Sequence, residues 1–199
     1  MGKLLEKLGV EKYSVMGTSY GGFVAYNMAK LFENRVEKVV IASSGINRIL
    51  KDHKELLERA KVDKIEDLML PKTASQLKNL MELALFKPSM YLPKFLLNDF
   101  ITTLYSDNLK EKKELLMGLT FGFDDEVRAS PLPQDVLIVW GDHDQIFPLK
   151  KAVELNELLG DKARLEVIKN TSHIPQAEDA NKFNDIVIKF LSGHRNSLL

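Results

Sequence analysis

Residues 17–22 read GTSYGG, directly after the short apolar stretch YSVM. A serine with glycine two positions to either side can be a nucleophile when it joins a strand to a helix. The chain must then turn sharply, which strains the serine backbone and raises its hydroxyl above the sheet edge. Gly17 and Gly21 keep strand and helix from colliding, and Gly22 lets the helix pack closely. The hydroxyl of Ser19 would sit at a helix N-terminus, where partial positive charge and unpaired N–H groups favour a developing oxyanion. The N–H of Tyr20 is the first such donor. Short glycine–serine patterns also arise by chance, and the weight here comes from the placement between an apolar strand and a helical run.

A serine hydroxyl needs a base to take its proton. His53 lies in the charged run KDHKELLERAK, where a solvated helix position is expected, and His194 lies in the polar tail. His143 stands between two aspartates just past a strand. His173 lies in NTSHIPQAED, after the last strand, where a loop at the carboxyl end of the sheet belongs. Functional groups gather at that edge in open α/β sheets, so His173 is the best base. The base in turn needs an orienting carboxylate. VLIVWGDHDQIFP offers Asp142 and Asp144 after the preceding strand, and spacing alone does not choose between them.

The elements that must carry these residues are legible in outline. Leu4, Leu5 and Leu8 before Gly9 read as the last turns of a helix with its glycine cap. KYSVM reads as a short buried strand, and Phe23, Val24, Met28 and Leu31 have helical spacing. VEKVVIASSG reads as a second buried strand. Strand, helix, strand in this length is a βαβ unit and implies a parallel sheet. From Asn47 to about Arg128 the character becomes charged and helical, with Leu77, Leu80, Met81, Ala84 and Leu85 at helical intervals and Pro88 and Pro93 as breaks. Further helices are expected in PKFLLNDFITTLYS and LKEKKELLMGL. The α/β pattern resumes with the strand DVLIVWG, a helix over 150–159 ending at Gly160, and the strand RLEVIKN. A final amphipathic helix carries Phe183, Ile186, Val187, Phe190 and Leu191 and stops at Gly193. The expected fold is an α/β core formed by 1–46 and 129–199, with 47–128 as a helical insertion.

Composition narrows the function. Among 199 residues, 28 basic side chains balance 28 acidic ones, so no net field draws in nucleic acid or an anionic membrane. Without cysteine there are no disulfides, thiolate metal sites or cysteine nucleophile. This fits a reducing, cytoplasmic setting. No apolar run is long enough to span a bilayer, and MGKLLEKLGV lacks a signal-peptide core. Glu6 stands where a myristoylation signal needs Ser or Thr.

GTSYGGFVAYNMA, VLIVWGDHDQIFP and NTSHIPQAED together resemble the nucleophile elbow, acid loop and histidine loop of the α/β-hydrolase fold family. The order nucleophile, acid, base is that family's order and differs from those of two serine protease folds. The similar branch is the capped one of small esterases, monoacylglycerol-lipase-like enzymes and meta-cleavage-product hydrolases. The resemblance makes the second aspartate of the acid loop, Asp144, the triad member and leaves Asp142 a loop residue. Ser172 stands where the histidine loop usually has glycine. The insertion corresponds to the cap that shapes the substrate pocket. Its Met, Phe and Leu content suits an apolar substrate, although most of these side chains are expected to pack the cap helices together.

The activity implied is cofactor-free and metal-free hydrolysis of a small or lipid-like ester. Ser19 attacks the carbonyl, His173 relays the proton, Asp144 orients His173, and the Tyr20 N–H binds the oxyanion. A related mechanism cleaves a carbon–carbon bond in a diketone-like substrate. Haloalkane dehalogenase and epoxide hydrolase chemistry would place aspartate at position 19 and is disfavoured. The family's sheet has several strands before the elbow, with a loop that supplies the second oxyanion N–H. This chain begins in the helix just ahead of the elbow strand, so it resembles the carboxyl-terminal part of a larger, truncated hydrolase. The competing expectation is therefore a catalytically impaired fragment or a non-catalytic binding protein. KYSVM would be an exposed apolar edge open to pairing, including self-association.

Overall fold

A computed structural model of the chain describes residues 2–88, 92–118 and 129–193. The described chain divides into an α/β unit, 1–47 with 128–199, and a helical unit, 48–127.

In the α/β unit, four parallel strands lie in the order β1 (Tyr13–Thr18), β2 (Val36–Ala42), β3 (Asp135–Gly141) and β4 (Ala163–Ile168). The β-branched runs of β2 and β3 suit strands covered on both faces. Val39 to Ala42 and Leu137 to Trp140 are completely buried. Trp140 satisfies its indole by donating Nε1–H to the Phe147 carbonyl at 2.8 Å.

Helix α1 (Gly2–Lys7) precedes the sheet, α2 (Tyr20–Leu31) joins β1 to β2, and α8 (Leu149–Leu159) joins β3 to β4. The short α9 (Pro175–Glu178) and the longer α10 (Ala180–Leu191) follow β4. Phe183, Ile186, Val187 and Phe190 of α10 share a cluster with Val40, Ala42, Leu137, Val139 and Ile168. Gly22 of α2 lies instead against Ile41, and strand side chains alternate, so α2 and α10 cover opposite faces of the sheet. Leu191, expected on the buried stripe, is 41% exposed at the end of α10.

Strand β1 is not buried as a whole. It pairs only with β2 among the described residues, and Met16 is 55% exposed. Among the described residues its outer backbone edge pairs with no further strand.

The helical unit contains α3 (Leu50–Ala60), α4 (Ile65–Met69), α5 (Ala74–Ala84), α6 (Lys94–Tyr105) and α7 (Leu109–Gly118). Leu56, Ala60, Ile65, Leu68, Leu77, Leu83 and Leu97 are buried. The α5 stripe is only partly as expected. Leu77 is buried, but Leu80, Met81 and Ala84 are half-buried, and off-stripe Leu83 is buried. Helix α5 touches α3, α4 and α6, so it is covered on more than one face. Phe95, Phe100 and Leu104 of α6 and Leu115 and Met117 of α7 are exposed.

His53 also departs from expectation. It is half-buried on α3, and burial lowers its pKa below 6.5, helped by Arg48 and opposed by Glu66. Burial likewise pushes Arg48 down to about 10 against the pull of Asp52. His194 lies outside the described residues.

Candidate active site

Parallel strands deliver the ends of β1, β3 and β4 to one edge of the sheet, and the residues after each end converge there. Ser19 follows β1 at once and caps α2 with φ 52° and ψ −116°, a conformation that non-glycine residues rarely adopt. Three backbone contacts hold it there. Its N–H donates to the Ala42 carbonyl at 2.9 Å, and its own carbonyl accepts from Gly22 N–H at 3.0 Å and Ser44 Oγ at 2.6 Å. Tyr20 is the first residue of α2, so its N–H belongs to the first turn, which has no intrahelical acceptor.

The glycines divide in role. A Cβ at Gly17 would lie 1.9 Å from the Gly21 carbonyl oxygen, and one at Gly22 would lie 2.4 Å from Ser44. Gly21 differs from expectation, because a Cβ there meets nothing within 4 Å. The close approach at the elbow is between residue 17 and the backbone of residue 21. A side chain at 21 points away from it.

His173 Nε2 lies 3.0 Å from Ser19 Oγ, and His173 Nδ1 lies 2.9 Å from Asp144 Oδ2. The Asp144 side chain is fully buried. Its second oxygen, Oδ1, accepts the Ile146 and Phe147 N–H groups, each at 2.9 Å. One carboxylate oxygen thus fixes its own loop and leaves the other for the imidazole. An acceptor at Nδ1 places the ring proton there and leaves the Nε2 lone pair toward the serine hydroxyl. Phe147 packs its ring edge against His173 at a centroid distance of 5.5 Å.

Of the two aspartates left open by spacing, Asp144 meets His173. Asp142 turns to His143, with Oδ1 2.6 Å from Nδ1 on a half-exposed ring. The sequence reading missed Ser44. Its signal was a small polar residue at the same sheet edge, next to Ser43, which takes φ 44°. Among the described residues, no three His, Cys, Asp or Glu side chains are placed to hold a metal ion, and no helix is long and apolar enough to cross a membrane.

A parallel sheet with a strained serine at the β1–α2 turn, facing a histidine and a buried aspartate from later loops, defines an α/β-hydrolase core. The chain belongs to the alpha/beta hydrolase fold family, whose model matches residues 1–180. It is similar to 2-hydroxy-6-oxononadienedioate/2-hydroxy-6-oxononatrienedioate hydrolase 1 of Pseudomonas putida, at 25% identity over 95% of this chain. The match spans 66% of that relative's length. In fold it is similar to a meta-cleavage product hydrolase of Pseudomonas fluorescens, with a TM-score of 0.71 and 21% identity over 96% of this chain and 69% of the other. It is also similar to an esterase of Exiguobacterium antarcticum, with a TM-score of 0.70 and 20% identity over 96% of this chain and 70% of the other.

Proposed function

We propose that the chain carries the reacting centre of a serine hydrolase, with Ser19 as nucleophile, His173 as general base and Asp144 as the carboxylate that orients it. One observation carries this reading: residues 19, 173 and 144, from three separate segments, form a continuous relay of 3.0 and 2.9 Å. A chance serine turn would not place its hydroxyl on an imidazole already seated on a buried carboxylate. In the reaction Ser19 Oγ attacks the carbonyl carbon as its proton passes to His173 Nε2. Asp144 stabilises the imidazolium, and the Tyr20 N–H faces the developing oxyanion. The imidazolium then protonates the leaving group, and water attacks the acyl-enzyme by the same route.

The substrate we favour is a small, uncharged or lipid-like ester. The loops at the reacting edge, 17–22, 43–47, 141–148 and 171–178, contain no lysine or arginine and do contain Asp142, Asp144 and Glu178. These four loops supply no cation to compensate a dianionic substrate. The second reading is carbon–carbon cleavage, favoured by the name of the Pseudomonas putida relative. A 2-hydroxy-6-oxo dicarboxylate has no ester, so its hydrolysis breaks a bond beside the ketone. An uncharged diketone suits this edge as an ester does.

Labelling by a fluorophosphonate probe tests the centre. Labelling that disappears in Ser19→Ala is expected. A folded, monodisperse sample that takes up no probe would instead mark a non-catalytic chain. Turnover of nitrophenyl esters against that of a vinylogous diketone separates the two substrate readings.

A further inference from the structure

We propose that Ser172 and Glu178 are positioning residues that clamp the histidine loop to the acid loop and so hold the Asp144–His173 pair in register. The inference rests on the function proposed above.

The two loops leave different strands, β3 and β4, yet their side chains must keep a 2.9 Å contact. Backbone bonds begin the job. Asp142 N–H donates to the Ile168 carbonyl at 3.2 Å, and His143 N–H donates to the Thr171 carbonyl at 2.9 Å. At Gly141 the loops touch so closely that a Cβ would lie 2.1 Å from the Ser172 carbonyl oxygen.

Ser172 then adds a side-chain tie. Its hydroxyl donates to the His143 carbonyl at 3.0 Å. Residue 172 immediately precedes the histidine and residue 143 immediately precedes the aspartate. The residues next to each member of the pair are thus bonded to each other, which ties together the two backbones that carry the pair. The N–H of Ser172 donates to Glu178 Oε2 at 2.6 Å, a short charge-assisted bond from α9. Glu178 lies on the far side of His173 in the chain, so the bond closes residues 172–178 into a loop around the base. Ser172 is completely buried, and the two bonds it makes are part-buried. A glycine at 172 would keep the N–H bond and lose the hydroxyl tie.

The test is the kinetics of fluorophosphonate labelling, resolved into the maximal rate and the half-saturating probe concentration, with thermal melts in parallel. Ser172→Ala should lower the maximal rate about 10-fold or more, because small misplacements of reacting groups carry large rate penalties. Half-saturation should stay near native. Ser172→Thr, which keeps a hydroxyl, should recover most of the rate. Glu178→Gln, which keeps an acceptor but loses the charge, should lower the rate about 3-fold.

If Ser172→Ala does not fold, Glu178→Gln and the downfield Nδ1–H proton resonance of His173 carry the test. That resonance should shift or broaden in Glu178→Gln. Variants that melt early yet label at the native maximal rate, with an unchanged resonance, would overturn the clamp and leave these bonds a purely structural role. A native protein that never labels would instead defeat the proposed function, so the two failures are distinguishable.

Discussion

The glycine at position 17 offers the sharpest test of how the elbow is built. In Gly17→Ala the new methyl carbon would start 1.9 Å from the Gly21 carbonyl oxygen, 2.1 Å from its carbon and 2.6 Å from Gly22 N. Real Cβ atoms essentially never come closer than 3.0 Å, so the first turn of α2 must move by more than 1 Å. The obstacle is backbone at the start of a helix and has no rotamer that could yield. Overpacking of this kind costs about 1–3 kcal/mol or more. The same shift separates Ser19 Oγ from His173 Nε2, now at 3.0 Å, and a misplacement near 1 Å costs about 10²-fold in rate. Gly21→Ala is the control. Its methyl meets nothing within 4 Å, and Gly21 lies inside α2. Replacing a helical glycine by alanine there should raise stability by about 0.5–1 kcal/mol. Denaturant melts of both variants, with probe-labelling rates for Gly17→Ala, give the answer. A Gly17→Ala protein as stable and as reactive as native would refute the steric account of the elbow.

Three further outcomes are expected. In Asp144→Asn, one side-chain atom must still accept from the Ile146 and Phe147 N–H groups, which turns the amide NH₂ toward His173 Nδ1. The proton then moves to Nε2 and blocks the base, so labelling should slow by about 10⁴-fold, the wrong-tautomer penalty measured in a serine protease. Lys61 ends α3 in the left-handed region at φ 54°, so Lys61→Gly should raise the stability of the helical unit by about 0.5–1 kcal/mol in a urea melt. His53 has a folded pKa below 6.5, so the unfolded chain binds its proton more tightly. Its contribution to stability is complete above pH 6.5 and is lost as the pH falls toward the folded value. Melting midpoints should drop on that acid side, and His53→Gln should flatten the drop. An equal drop in the variant would assign it to other groups.

What could be read from the sequence follows from how local each signal is. β2 and β3 announce themselves because both of their faces are covered, so the apolar run is continuous and needs no knowledge of its neighbours. Ser19, Asp144 and His173 could be aligned because each follows an apolar strand, and parallel strands must bring such residues to a single edge. Features set by a third body could not be read this way. A helical stripe assumes one buried face, and α5 is covered by α3, α4 and α6, so Leu83 is buried off the stripe. His53 looked solvated among charges because its burial comes from tertiary packing. Gly21 looked obligatory because motif spacing records which residues are small and not which atom each one spares. Spacing also left Asp142 and Asp144 equal. They differ in the Ile146 and Phe147 N–H groups that fasten one oxygen of Asp144 and aim the other at His173. Since those donors are backbone groups, the side-chain identities at 146 and 147 carry no direct record of these bonds. At Ser19 two of the three groups that hold the strained backbone, the Ala42 carbonyl and the Gly22 N–H, are likewise main chain, and the third is the Ser44 hydroxyl. The side chains of the proposed centre are legible as types in a sequence, while much of what holds them in place is main chain and emerges only when the strands are assembled.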